Sequence, residues 1–273
     1  MSNATQILKN IDSRITSMTM LGSERSNAAA KEYDERRRLR EQEQKAAHIL
    51  TDFRKRWCNY LGIPEINFEC STQESNYITR PQDAVLIQTA ISWALDGKRC
   101  ALFIDAFACV GGDTLAAMNE FRQAEIHSIQ QNTNEEEADR CGRLTRNIRS
   151  IEQSFTDRRK LVVIHEMNIR DFILTGSDGQ QITVLYLDPP WALGPDSSSI
   201  SPPAVVNHFL NGNVWHPLRQ RRMTPELIVI KLPGYPTQVN VENWPRLRNQ
   251  YTQVACITPR DKYAVYILRR IDH

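Results

Sequence analysis

Cys100-Ala101-Leu102-Phe103-Ile104-Asp105-Ala106-Phe107-Ala108-Cys109-Val110-Gly111-Gly112-Asp113-Thr114 is the stretch that decides the fold. A short apolar run ends in an acid, turns through paired glycines and leads into a helical pattern. Six residues are too few for a buried helix and suit a buried strand. Glycines let the backbone pass close to a ligand with no Cβ in the way. In parallel α/β sheets ligands lie beyond the carboxyl ends of the strands, where this turn falls. The glycines do not follow G-x-G-x-x-G, whose helix N-terminus holds a pyrophosphate, so a ligand without a phosphate fits better.

Downstream, strand and helix alternate. Thr114–Phe121 reads as a helix and Glu125–Ile129 as a strand. A helix from Thr133 to about Gln153 opens on the capping-box pattern Thr133-x-x-Glu136. Leu161–His165, Thr183–Leu187 and Leu227–Ile230 read as strands. Tyr251–Ile257 and Tyr263–Leu268 pair as a terminal hairpin through Thr258-Pro259-Arg260-Asp261. Repeated βα units closed by a hairpin predict a seven-stranded α/β sheet, mostly parallel with one antiparallel strand.

Upstream, residues 1–27 are polar and read as a tail. A helical pattern runs from Asn27 to about Leu61, stopped by Gly62 and Pro64, and a second from Gln82 to Leu95. The predicted division is a tail over 1–27, a helical extension over 28–76 and the α/β domain over 77–273. The extension's helix is a candidate surface for a protein partner.

The 273 residues carry a net charge of +2, unevenly placed. Residues 1–60 are net +4, residues 61–216 net −8 and residues 217–273 net +6. Basic ends around an acidic middle suit a polyanionic partner. Six cysteines and six histidines form no zinc-type spacing, so no metal is expected. No apolar run approaches the ~20 residues that span a bilayer. The expected setting is intracellular, cytoplasmic or nuclear, with no membrane.

A second motif follows the Thr183–Leu187 strand: Asp188-Pro189-Pro190-Trp191. Two prolines remove two donors and hold their neighbours extended. The stiff loop aims carbonyls and a carboxylate at one point, which suits the N–H donors of an exocyclic amine. Trp191 offers a face on which a base can stack. Farther on, Arg219, Arg221 and Arg222, with Lys231 in the next strand, are candidate contacts to an RNA backbone. Ser197–Pro203 reads as a loop, and His165 and His216 as structural.

The Asp188–Trp191 tetrapeptide resembles the signature of class I S-adenosylmethionine-dependent amino-methyltransferases, which modify adenine N6, cytosine N4 or guanine N2. With the glycine turn preceding the tetrapeptide, the chain is most similar to the trimethylguanosine synthase family, guanine-N2 methyltransferases of RNA caps. Ile104–Thr114 resembles that family's Val-Asp-Ala-Phe-x-Gly-Val-Gly-Gly-Asn-Thr. Leu187-Asp188-Pro189-Pro190-Trp191 resembles its Leu-Ser-Pro-Pro-Trp. Ile78-Thr79-Arg80-Pro81 and Ile230-Lys231-Leu232-Pro233 resemble two flanking segments.

The resemblance implies a Rossmann-like seven-stranded methyltransferase fold, S-adenosylmethionine as cofactor and RNA as substrate. It implies that Asp105, Phe107, Gly111, Gly112 and Thr114 surround the cofactor's methionine end, that Asn168 and Ile169 flank its adenine, and that Thr79, Val110 and Gln130 also belong to the cofactor site. It further implies that Asp188 and Pro189, with Pro190, hold the target amine while Trp191 stacks on the base. Gln130 stands where the family places an acid on the ribose. Asp188, where the family has Ser, extends the expectation to adenine N6. Gln130 keeps open a silent fold that binds RNA or acts as a scaffold.

Overall fold

The structure is a computed structural model that describes residues 31, 35–38, 40–41, 48, 50–71, 74, 78–154, 162–176, 181–190, 202–234, 249–260 and 263–271. The chain divides into two units, Met1–Asp52 and Phe53–His273. In the first, the described residues are helical.

The second unit opens with helix α1 (residues 53–61) and a connecting stretch. Helix α2 (Pro81–Ala94) starts at a proline, preceded by Arg80 in extended conformation. Alternation follows: β1 (Leu102–Asp105), α3 (Gly112–Glu120), β2 (Glu125–Ile129), α4 (Glu135–Ser154), β3 (Val162–His165), α5 (Ile169–Thr175) and β4 (Val184–Leu187). After β4 come α6 (Pro202–Val205), a π-helical stretch (Val206–Trp215) and α7 (His216–Gln220). Strands β5 (Leu227–Pro233), β6 (Tyr251–Arg260) and β7 (Tyr263–Arg270) close the chain.

The seven strands form one sheet in the order β3-β2-β1-β4-β5-β7-β6. Only β7 opposes the common direction: β5 and β6 both pair with it antiparallel, and the remaining pairs are parallel. The order reverses between β1 and β4, so their carboxyl ends flank the topological switch point where ligands settle in open α/β sheets.

Two apolar layers cover the sheet. On one face Phe103, Ile126, Val184, Tyr186, Val229 and Val265 pack with α1 to α4. On the other, Ile104, Ile129, Leu185, Leu187 and Ile230 meet α5, the π-helical stretch and α7. Strands buried on both faces explain the unbroken apolar runs at 102–104 and 227–230.

Three sequence expectations shift. Helix α4 is capped one residue late. Asn134 Oδ1 accepts from the Glu137 N–H at 3.0 Å, and Glu137 reaches back to the Thr133 N–H at 2.8 Å. A helical segment over 202–220 takes in Pro202 and Pro203, the end of the expected Ser197–Pro203 loop, whose residues 197–201 lie outside the described residues. The division expected at 76/77 is not where packing divides. Trp57 and Phe68 are fully buried in the sheet's own core and stack at 6.2 Å.

Asn147 ties these parts together. It is fully buried on α4 and donates to the carbonyls of Val110 (2.8 Å) and Glu69 (2.9 Å). Its Oδ1 accepts from the Glu69 N–H at 2.6 Å. Asn147→Ala strands the buried Val110 carbonyl and leaves the half-buried Glu69 backbone to solvent, about 2–3 kcal/mol in all. It is expected to lower the melting temperature by ~4–12 °C at ~2–4 °C per kcal/mol. A fall under ~2 °C in a thermal melt would show that water replaces these bonds.

Candidate active site

The loop after β1 is held from both sides. The Ala106 N–H donates to Tyr186 O at the end of β4, and the Ala108 N–H to Ile129 O at the end of β2, each at 3.0 Å. Cys109 has φ +51 and Gly111 φ +101. Gly111 takes a conformation that costs an L side chain free energy, which is why glycine serves there. At Gly112 a Cβ would come within 2.5 Å of Ile78 Cγ1. The segment before α2 therefore lies directly on the glycine turn, bringing Thr79 to the site. Val110 is fully buried and fixes the loop to the core, and Phe107 is half-buried.

Asp105 ends β1, 1% exposed. Its Oδ2 accepts from the Thr114 hydroxyl at 2.7 Å, and Thr114 meets Ser128 Oγ at 2.8 Å. Its Oδ1 has no hydrogen-bond partner among the described residues. Burial, then Asp113 and more weakly Asp188, pushes its carboxyl up to about 8, against the Thr114 hydroxyl and the Phe107 N–H.

Asp188 lies one residue beyond β4. Leu187 is in register with Ile230, so the next residue on each strand sets Asp188 beside Lys231. Lys231 Nζ donates to Asp188 Oδ2 at 2.6 Å and to Thr79 Oγ1 at 2.8 Å. It also lies 3.9 Å from Asp113 Oδ2 and 4.9 Å from the Tyr263 ring centroid. Burial raises Asp188, Lys231 pulls it back and Asp113 raises it again, leaving it at about 6. Burial lowers Lys231, but Asp188 and Asp113 more than reverse this, so its net shift is upward and it stays charged. Asp113 also accepts from Tyr186 Oη (3.1 Å), and Asp83 from Tyr263 Oη (2.9 Å).

The structure thus gathers Thr79, Asp105, Gly111, Gly112, Thr114, Asp188 and Lys231 at the β1/β4 switch point. Pro189 and Pro190 follow Asp188, one buried and one exposed; Trp191 lies outside the described residues. Asn168 caps α5, accepting from the Arg170 N–H and donating to Gln131 Oε1, both at 2.9 Å. Ile169 is buried behind it.

Some expectations are corrected. Gln130 does not present its amide outward: it accepts from the Cys109 N–H at 2.8 Å and donates to Gln131 O at 3.2 Å, bracing the glycine turn. Lys231, 1% exposed, does not reach a substrate phosphate. Arg219, Arg221 and Arg222 precede β5, so they stand at the sheet's amino end. Four residues of strand, ~13 Å, separate Leu227 from Lys231. Arg221 donates to Gly176 O, the C-cap of α5, at 2.7 Å. Asp113, Tyr186, Asp83 and Tyr263 were missed; Asp113 directly follows the glycines, and Lys231 is a lone charge in an apolar strand. His165 packs on His127 (3.1 Å) and on Phe172, a structural contact.

Among the described residues no cluster of three or more metal-ligating side chains occurs, and no helix is long and apolar enough to cross a membrane.

No protein family matches the sequence, and no curated protein does. Solved structures align with about two thirds of the chain. NSun6 from Pyrococcus horikoshii, solved with SFG, is 16% identical with a TM-score of 0.48, over 69% of this chain and 52% of that one. TrmN from Thermus thermophilus is 12% identical (TM-score 0.43; 69% and 49%). The 1,6-didemethyltoxoflavin-N1-methyltransferase of Burkholderia thailandensis, solved with S-adenosylhomocysteine, is 15% identical (TM-score 0.41; 69% and 78%). The chain spans about half the length of the first two. The fold rests on this chain's own sheet, seven strands in the order β3-β2-β1-β4-β5-β7-β6 with β7 antiparallel.

Proposed function

We propose that this chain is an S-adenosylmethionine-dependent methyltransferase acting on an exocyclic base amine of RNA, foremost guanine N2 of a cap. One observation carries this reading. A buried carboxylate with an unpartnered oxygen, Asp105, and a proline-stiffened carboxylate, Asp188, end adjacent strands at the switch point.

The residues fit the cofactor. Asp105 Oδ1 is an orphaned acceptor at the end of β1, and the glycine turn follows directly after it. Asp105, Phe107, Gly111, Gly112 and Thr79 would hold its methionine end, and Asn168 and Ile169 its adenine. When bound, it supplies an electrophilic methyl group. Asp188 and the Pro189 carbonyl accept the amine's N–H groups and orient its nitrogen. The chain's contribution is positioning and exclusion of water. Asp188, 18% exposed, keeps its second oxygen available. An aspartate at this position also suits adenine N6, which is the second reading.

Calorimetric titration with S-adenosylmethionine, followed by transfer of labelled methyl to capped and uncapped RNAs, tests the proposal. Micromolar binding and cap-dependent transfer are expected. Transfer to internal adenines instead would replace the first reading by the second. A folded protein that binds no cofactor would overturn both, and leave the silent RNA-binding role.

A further inference from the structure

We propose that Lys231 is a positioning residue that fixes the charge and aim of the Asp188 carboxylate and locks it to the segment before α2. This rests on reading Asp188 as the acceptor for the target amine. Asp188 faces Asp113 on α3, Asp105 on β1, Tyr186 on its own strand and Tyr263 on β7. Among these, Lys231 is the cation in contact. With three carboxylates sharing one low-dielectric site, like charges favour protonation. A protonated Asp188 offers one acceptor fewer and a donor where the amine needs none.

Lys231 counters this from a fixed place. Its strand register sets it opposite Asp188, its ammonium lies over the Tyr263 ring, and one of its protons goes to Thr79 Oγ1. Thr79 precedes α2 and belongs to the segment that packs on Gly112. A single buried cation therefore joins the acceptor loop after β4 to the wall of the glycine turn. Movement of one is felt by the other.

The test uses the full chain carrying carbon-13-labelled aspartate carboxyls, with the Asp188 signal assigned by its loss in Asp188→Asn. Lys231→Met is expected to move the Asp188 titration upward by at least ~1 pH unit. Lys231→Gln, which keeps donors toward Asp188 and Thr79 and removes only the charge, is expected to do the same and guards against a Met variant that does not fold. Where methyl transfer is measurable, Lys231→Gln, which keeps a donor toward Thr79, should shift the acid limb of kcat upward with cofactor affinity held within ~3-fold, a split that follows from loss of the charge beside Asp188. Lys231→Arg should restore part of the rate. An Asp188 titration unchanged in Lys231→Gln, or a rate loss equal at every pH, would overturn the proposal. The carboxyl titration decides it even if no RNA accepts a methyl group, so its failure is separable from that of the proposed function.

Discussion

Asp105→Asn is expected to melt ~4–8 °C higher than the wild-type chain at pH 8, and to bind S-adenosylmethionine at least ~100-fold more weakly. The wild-type carboxyl is buried beside Asp113 and is held at about 8, far above its ordinary value of 3.8. A group whose folded pKa is raised contributes its full stability below the ordinary value. That contribution declines as pH rises, until ionisation is complete above about 8. Each unit of difference corresponds to ~1.4 kcal/mol, so even half of the displacement supports the expected rise. The gap between variant and wild type should accordingly be small near pH 4 and widen toward pH 8. An amide keeps an acceptor for Thr114 and loses the charge that a cationic ligand needs. Wild-type binding at pH 7 should also release up to about one proton, visible as a dependence of binding heat on the buffer's ionisation enthalpy. Equal melting temperatures across that range would show that Asp105 is not held protonated.

Asp188→Ala should leave cofactor affinity within ~3-fold and lower methyl transfer by ~100–1,000-fold, the usual loss on removing one preorganised polar contact. The wild-type rate should fall below pH about 6, where the carboxyl takes up a proton. The sign follows from the acceptor role: the ionised form works, so the acid side is the inactive side. The variant also leaves buried Lys231 without its close partner, with Asp113 3.9 Å away, and its melting temperature should fall as well. Single-turnover transfer at saturating cofactor separates the chemistry from the stability loss. A fully active Asp188→Ala would remove this carboxylate from the reaction.

The strands and their order of appearance were legible because periodicity is local and strong. The strand after Cys100 and the one ending at Leu187 announced their own carboxyl ends, and with them Asp105 and Asp188. Less legible was anything set by register. Lys231 lies 43 residues from Asp188, and only the pairing of β4 with β5 shows that the two meet. Of the arginines before β5 that read as RNA contacts, Arg221 is engaged at a helix end, because helices that run antiparallel to the strands place their C-termini there. Cations there satisfy terminal carbonyls. Arg221 does so at Gly176, Arg99 donates to Gln123 O just past α3, and Arg269 to Ala94 O on α2. Gln130 read as a failed ribose ligand; its side chain has a different task, one that the isolated strand could not disclose.

The two outer strands also bear on how the molecule keeps to itself. At one margin β3 has only four residues, too few to recruit a neighbouring chain firmly. At the other, β6 runs for ten residues, long enough to template growth, but its pairing slips between Gln253 and Ala255 and again between Ile257 and Arg260. Such irregularities bend and twist a margin away from flatness, and a bent ribbon is a poor seat for a second sheet. The slipped pairing of β6 is thus a backbone feature that disfavours edge-to-edge growth along the described margin.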